Sequence, residues 1–154
     1  WDVHHGNGTQ RIFWDDPTVM YQSIHQFPFY HGTGAPDEIG GPGGFGATVN
    51  VGLPAGSGDR DYLAAFDHVL GPALRRFRPD LILVSAGFDG HRRDPLAELQ
   101  LDAGDFAWIT RELVQLANRH CGGRIVSMLE GGYNLTALAR SVAVHVKTLM
   151  ETGR

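Results

Sequence analysis

Short apolar runs alternate along this chain with longer stretches whose apolar residues recur every three or four positions. VMYQSIH (residues 19–25) and ATVNVGL (47–53) are short and rich in β-branched or aromatic residues, and they predict strands. LILVSAG (81–87) and RIVSMLEGG (124–132) are apolar runs ending in glycine, the pattern of buried parallel strands. Between and after them, three sets of positions fall on helical stripes. The first is Tyr62, Leu63, Phe66, Val69, Leu70, Leu74 and Phe77; the second Phe106, Ile109, Leu113, Leu116 and Ala117; the third Leu135, Leu138, Val142, Val146 and Leu149. Pro72 is expected to kink or interrupt the first helix, because it lacks an N–H and its ring crowds the preceding turn. Helices alternating with apolar strands predict an α/β fold with a mainly parallel sheet flanked by helices. One stretch fits neither period: residues 28–46 carry so much glycine and proline that an irregular loop is expected. Its aromatics, Phe29, Tyr30 and Phe45, argue against simple disorder, and leave open an anchored surface loop or the wall of a cleft.

Length and charge narrow the classes. The 154 residues suit one domain with a sizeable core. A net charge of -4, with basic clusters only at Arg75, Arg76, Arg78 and at Arg92, Arg93, argues against direct nucleic-acid binding. Cys121 is the single cysteine, so no internal disulfide forms, and no apolar run reaches the ~20 residues that span a bilayer. A cytoplasmic location is inferred, and the oligomeric state is left open.

Candidate chemistry begins at WDVHHGNG. Asp2 and His4 stand two apart, so on extended backbone they project to one side while His5 faces away. Ligands of open parallel sheets gather beyond the carboxyl ends of the strands. GFDGHRRDP follows one apolar run and EGGYN the other, supplying Asp89 (with His91 and Asp94 nearby) and Tyr133. Asp2, His4 and Asp89 together make two carboxylates and one imidazole, a set suited to a divalent metal with an open position, with zinc as the first choice. Each residue also has a plainer role. Asp89 could close a turn or cap a helix, His4 and His5 could sit in a polar turn, and Tyr133 could be a half-buried aromatic. Asn134 is expected at a helix start. His25, His31, His68, His91, His120 and His145 have no evident partner in sequence and are assigned to surface or packing roles, and Cys121 is taken as inert.

WDVHHGNGTQ, SIHQFPFYHGTG, SAGFDGHRRDPLAELQL and LEGGYNL occur in that order and span nearly the whole chain. The set resembles the second half of the catalytic domain of the histone deacetylase family, which includes bacterial deacetylase-like amidohydrolases, acetylpolyamine amidohydrolases and acetoin-utilisation proteins. The EGGYN and GFDGHRRDPL forms are more similar to its class II side. The resemblance implies a partial arginase/deacetylase-type fold over residues 1–150, with 151–154 a tail. It implies Asp2, His4 and Asp89 as zinc ligands and Tyr133 as the hydroxyl that polarises the acetamide and bonds its oxyanion. It places Tyr30 and Leu96 along the acyl channel, and Ser23, with the carbonyls of Asp2 and His4, at a potassium site. A second potassium site would use carbonyls near Phe13 and Val19. The implied reaction is zinc-dependent amide hydrolysis of acetyl-lysine or an acetylated polyamine. The family moves protons with a histidine pair upstream of the DxHHGNG segment, and WDVHHGNG opens this sequence. The chain is therefore expected to be a carboxyl-terminal portion with weak or no activity alone, and its truncated sheet to expose apolar surface. Two other readings are a non-catalytic acyl-lysine binder or scaffold, and a binuclear manganese ureohydrolase, which would need more clustered carboxylates than the sequence offers.

Overall fold

A computed structural model of the chain describes residues 1–152. Four strands form where the apolar runs predict them: β1 (Tyr21–Gln26), β2 (Thr48–Leu53), β3 (Ile82–Ala86) and β4 (Ile125–Leu129). They pair in parallel, β1 with β2 and β3 with β4, with Tyr21 opposite Thr48 and Ile82 opposite Ile125. The main chain of residues 1–3 joins the two pairs. Trp1 N donates to Ser85 O of β3 (3.0 Å), and Gln26 N of β1 donates to Val3 O (3.0 Å). Asp2 is thereby delivered to the seam between the pairs.

Five α-helices and one π turn complete the described residues: α1 (Asn7–Ile12), α2 (Asp59–Ala65), a π-helical turn (Phe66–Leu70), α3 (Gly71–Phe77), α4 (Ala103–Cys121) and α5 (Leu135–Thr152). The first amphipathic stretch is thus continuous, and Pro72 changes its register rather than breaking it. Pro72 sits in the first turn of α3, where a missing N–H costs least, and the turn before it widens to the π pattern. Gly71 makes this possible, because a Cβ there would lie 2.7 Å from Phe66 O. Helix α1 has no apolar stripe, only Gln10 of its residues is buried, and hydrophobic periodicity could not reveal it. Helix α4 starts in a reciprocal capping box of Asp102 and Asp105 and ends at Gly122 with φ +59°. Asn134 Oδ1 accepts from Ala137 N (3.0 Å), the helix-start role expected of it.

Helices α4 and α5 pack on each other, and the core runs from Val3 and Ile24 through Tyr62, Val84, Phe88 and Phe106. Only one face of the β3–β4 pair is covered among the described residues. Ile82, Val84 and Ala86 are buried, whereas Leu83 is 62% exposed, Val126 48% and Met128 46%. Both runs read as strands covered on two faces, and the second covering layer is not supplied by any described element. Helix α5 continues through Thr152, two residues into the segment expected to be a tail; residues 153 and 154 of that segment lie outside the described residues. Among the described residues no helix is long and apolar enough to cross a membrane.

Candidate metal and hydrolytic site

The carboxyl ends of β1 and β3 meet residues 1–5 at one place. His4 Nδ1 lies 2.8 Å from Asp2 Oδ1 and 3.2 Å from Asp89 Oδ2, and one ligand atom from each of the three residues falls within 4.8 Å of the others. The same-side geometry expected for Asp2 and His4 is therefore present, and Asp89 joins them from the turn after β3. Backbone donors fix the carboxylates: Val3 N to Asp89 Oδ1 (2.7 Å), His4 N to Asp2 Oδ1 (2.8 Å) and Gly131 N to Asp2 Oδ2 (2.8 Å). Two glycines make the room. A Cβ at Gly87 would collide with Asp2 Oδ2, and one at Gly131 with Asp89 Oδ2.

Asp89 has no solvent exposure, and its Oδ2 has no hydrogen-bond partner. The nearby His4 Nδ1 does not satisfy it, because that nitrogen is directed at Asp2 Oδ1. Burial, and then the neighbouring Asp2 carboxylate, push the Asp89 carboxyl up to about 7. A buried, unsatisfied carboxylate oxygen beside a second carboxylate is costly unless a cation completes it. The donor set fits zinc: two oxygens and one nitrogen, with spacings near the ~3.4 Å that ~2.1 Å bonds in a tetrahedron require. It does not fit a binuclear centre, since no further His, Cys, Asp or Glu joins the group among the described residues.

Tyr133 follows Gly131 and Gly132, the latter at φ +137°, a conformation glycine adopts freely. It is 49% exposed. Its phenol is pushed above its ordinary range, first by what burial it has and then by the carboxylates of Asp89, Asp2 and Asp94. Its backbone, through Gly131, borders the cluster, since Gly131 N donates to Asp2 Oδ2. The loop at 28–46 is irregular, as its composition predicts, and brings rings to His4: Phe29 at 5.5 Å and Tyr30 at 6.3 Å, the latter edge-on. Only Phe29 of the loop's three aromatics packs against the core; Tyr30 and Phe45 are exposed. Leu96 is exposed too, on the loop after Asp89.

The loop is held by buried polar contacts that the sequence does not announce. His5 points away from His4, as expected, to Thr33 Oγ1 (2.8 Å) and Gln10 Oε1 (2.9 Å). Glu38 accepts from Gln10 Nε2 and from the backbone of Gly34 and Ala35, and Asn50 Nδ2 donates to Gln10 Oε1. His25, assigned to a packing role from sequence, is fully buried and partnered. Its Nε2 lies 3.0 Å from Gly34 O, which can only accept, so Nε2 carries the proton and Ser23 Oγ donates to Nδ1 (2.9 Å). His91 and His145 are buried as well, His145 bridging Thr110 (2.7 Å) and Ser127 (2.8 Å). The Gln10–Glu38 network is what sequence patterns missed; Phe29 and Asp94 stood out in the sequence as a loop aromatic and a neighbour of Asp89, without the contacts found here.

Comparison with known proteins identifies the family. The family described as "Histone deacetylase domain" matches residues 1–149. The chain is 51% identical over 142 residues to histone deacetylase 10, chloroplastic, of Oryza sativa subsp. japonica, covering 92% of this chain and 32% of that protein. It is 47% identical over 135 residues to a probable deacetylase of Archaeoglobus fulgidus, covering 88% and 38%. A crystal structure of the HDA15 HD domain superposes with a TM-score of 0.90 at 44% identity, over 99% of this chain and 43% of that one. The chain thus spans roughly a third of the length of the curated relatives it matches.

Proposed function

The chain belongs to the histone deacetylase domain family, and from that premise we propose that it carries the metal-binding and oxyanion-stabilising part of a zinc-dependent amide hydrolase acting on acetyl-lysine or an acetylated polyamine. The observation that carries the proposal is the meeting of Asp2, His4 and the unsatisfied Asp89 Oδ2 beneath the Tyr133 loop. Zinc held by these three residues would supply Lewis acidity to the acetyl carbonyl and activate water for attack. The chain's own groups do the rest. Two carboxylates offset the ion's charge and aim the imidazole. Tyr133, kept protonated, donates to the carbonyl oxygen as it gains negative charge; losing one such donor typically lowers the rate ~100- to 1000-fold. Phe29 and Tyr30 give the approach an apolar wall, which favours a slender acylated alkylamine, and Leu96 borders it. Ser23 is offered as a potassium ligand that stiffens the segment bearing Asp2 and His4. Of the two histidines beside the cluster, His4 serves as a ligand and His5 is bound into the loop network, which leaves neither to move a proton. Turnover by this chain alone is therefore expected to be weak.

Elemental analysis and zinc titration of the purified chain test the proposal, alongside hydrolysis of an acetyl-lysine amide and an acetylpolyamine. One zinc per chain, lost in Asp89→Asn, is expected, with any turnover falling sharply in Tyr133→Phe. Failure to take up zinc, or uptake indifferent to Asp89→Asn, would remove it.

A further inference from the structure

Tyr133 poses a positional problem. Its ring is about half exposed and two glycines precede it, so side-chain packing alone gives it little reason to hold one place relative to the Asp2–His4–Asp89 cluster. The constraint comes from the backbone. Tyr133 N donates to Asp94 Oδ2 (2.9 Å), across 39 residues of sequence. The other oxygen of the same carboxylate, Asp94 Oδ1, accepts from Leu96 N (2.9 Å). Asp94 itself is only 9% exposed, and its own N–H donates to His91 O (2.7 Å), so the carboxylate is anchored to the Asp89 loop. Gly131 N, two residues before Tyr133, is tied to Asp2. The Tyr133 loop is thus held at two points, one on a cluster carboxylate and one on Asp94.

We infer that Asp94 is a positioning residue: one carboxylate clamps the backbone of Tyr133 and of Leu96 together, fixing the phenol relative to the metal cluster and to the rim of the channel. The inference deepens the hydrolase proposal and rests on it for its catalytic consequence. An ionised carboxylate suits the task because both oxygens accept, whereas an amide offers one acceptor and one donor. Charge-assisted bonds of this kind are roughly twice as strong as neutral ones. Misplacement of a reacting group by ~1 Å can cost ~100-fold in rate, so the clamp acts on kcat far more than on substrate affinity.

The test has two arms, both on the full chain. In the first, amide hydrogen exchange at Tyr133 is followed by NMR without metal. Exchange in Asp94→Ala is expected to be at least ~10-fold faster at Tyr133 and Leu96, with α4 and α5 unchanged; Asp94→Asn, which keeps the shape, is expected to fall between. Wild-type exchange at Tyr133 in both variants overturns the clamp whatever the chain's activity. In the second arm, acetyl-lysine amide hydrolysis by the zinc-loaded chain is compared for Asp94→Ala, Tyr133→Phe and the double variant. The clamp predicts a ~10- to 100-fold lower kcat for Asp94→Ala, KM within ~threefold, and a double variant no slower than Tyr133→Phe alone. Multiplying losses in the double variant indicate a general structural role and overturn the inference. Absence of zinc uptake by the wild-type chain defeats the hydrolase proposal, while the exchange arm still decides the clamp.

Discussion

At the scale of single residues, the site is a matter of room as much as of ligands. Gly131 shows this: a methyl group there would occupy the space of Asp89 Oδ2 and crowd Asp2 Oδ2. Gly131→Ala is expected to lower zinc affinity by more than the ~10- to 100-fold typical of changes behind a metal's ligands, while far-ultraviolet circular dichroism stays at the wild-type level. Isothermal titration with zinc checks it; undiminished affinity would mean that the carboxylates are less tightly placed than described. Asp2, His4 and Asp89 were readable from the sequence because side-chain alternation puts the first two on one side and a strand end exposes the third. Asp94 was not. Its partners are the N–H groups of Tyr133 and Leu96, and every non-proline residue carries the same N–H, so no pattern of side chains marks the contact. His25 and His145 were missed for a related reason: their partners, Gly34 O, Thr110 and Ser127, are brought to them by the fold rather than by spacing.

At the scale of elements, strands and long helices were legible and the short or polar ones were not. Helix α4 announces itself by its apolar stripe and by Asp102 and Asp105 at its start. Asp102→Ala removes the cap and is expected to cost about 1 kcal/mol, lowering Tm by ~2–4 °C for a chain of this size; calorimetry measures it. Helix α1 and the loop fastened by Gln10, Glu38 and Asn50 carry polar, glycine-rich sequences, so their order comes from buried hydrogen bonds instead of hydrophobic period. That fastening has a pH dependence through His25. Burial, and then His5, hold its imidazole down at about 4, while Gly34 O and Glu38 pull the other way. The unfolded chain takes up the proton near pH 6.5, so this contribution is complete above that value and is lost as pH falls from ~6.5 toward ~4, by at most ~1.4 kcal/mol per unit. Urea unfolding at pH 7 and pH 4.5 is expected to show the loss, with a shallower decline in His25→Gln. An equal decline in both proteins would assign it to other groups.

At the scale of the whole molecule, two features act together: an uncovered apolar face and a narrow seam. Leu83 and Val126 stand opposite each other on the exposed side of β3 and β4, with Met128 beside them. Apolar sheet surface of this kind promotes association. Sedimentation velocity is expected to show concentration-dependent self-association that the Leu83→Lys/Val126→Glu pair suppresses while zinc uptake persists; a monomeric wild-type chain at high concentration would contradict this. The seam matters differently. The three residues that stitch β1 to β3 include Asp2, so an ion shared with Asp89, as proposed, would rivet the two strand pairs together. Chelator would then act as a denaturant: at zinc 100-fold above Kd the linkage would be worth ~2.7 kcal/mol, and stripping the ion would loosen the keystone of the β-layer along with the chemistry proposed for it.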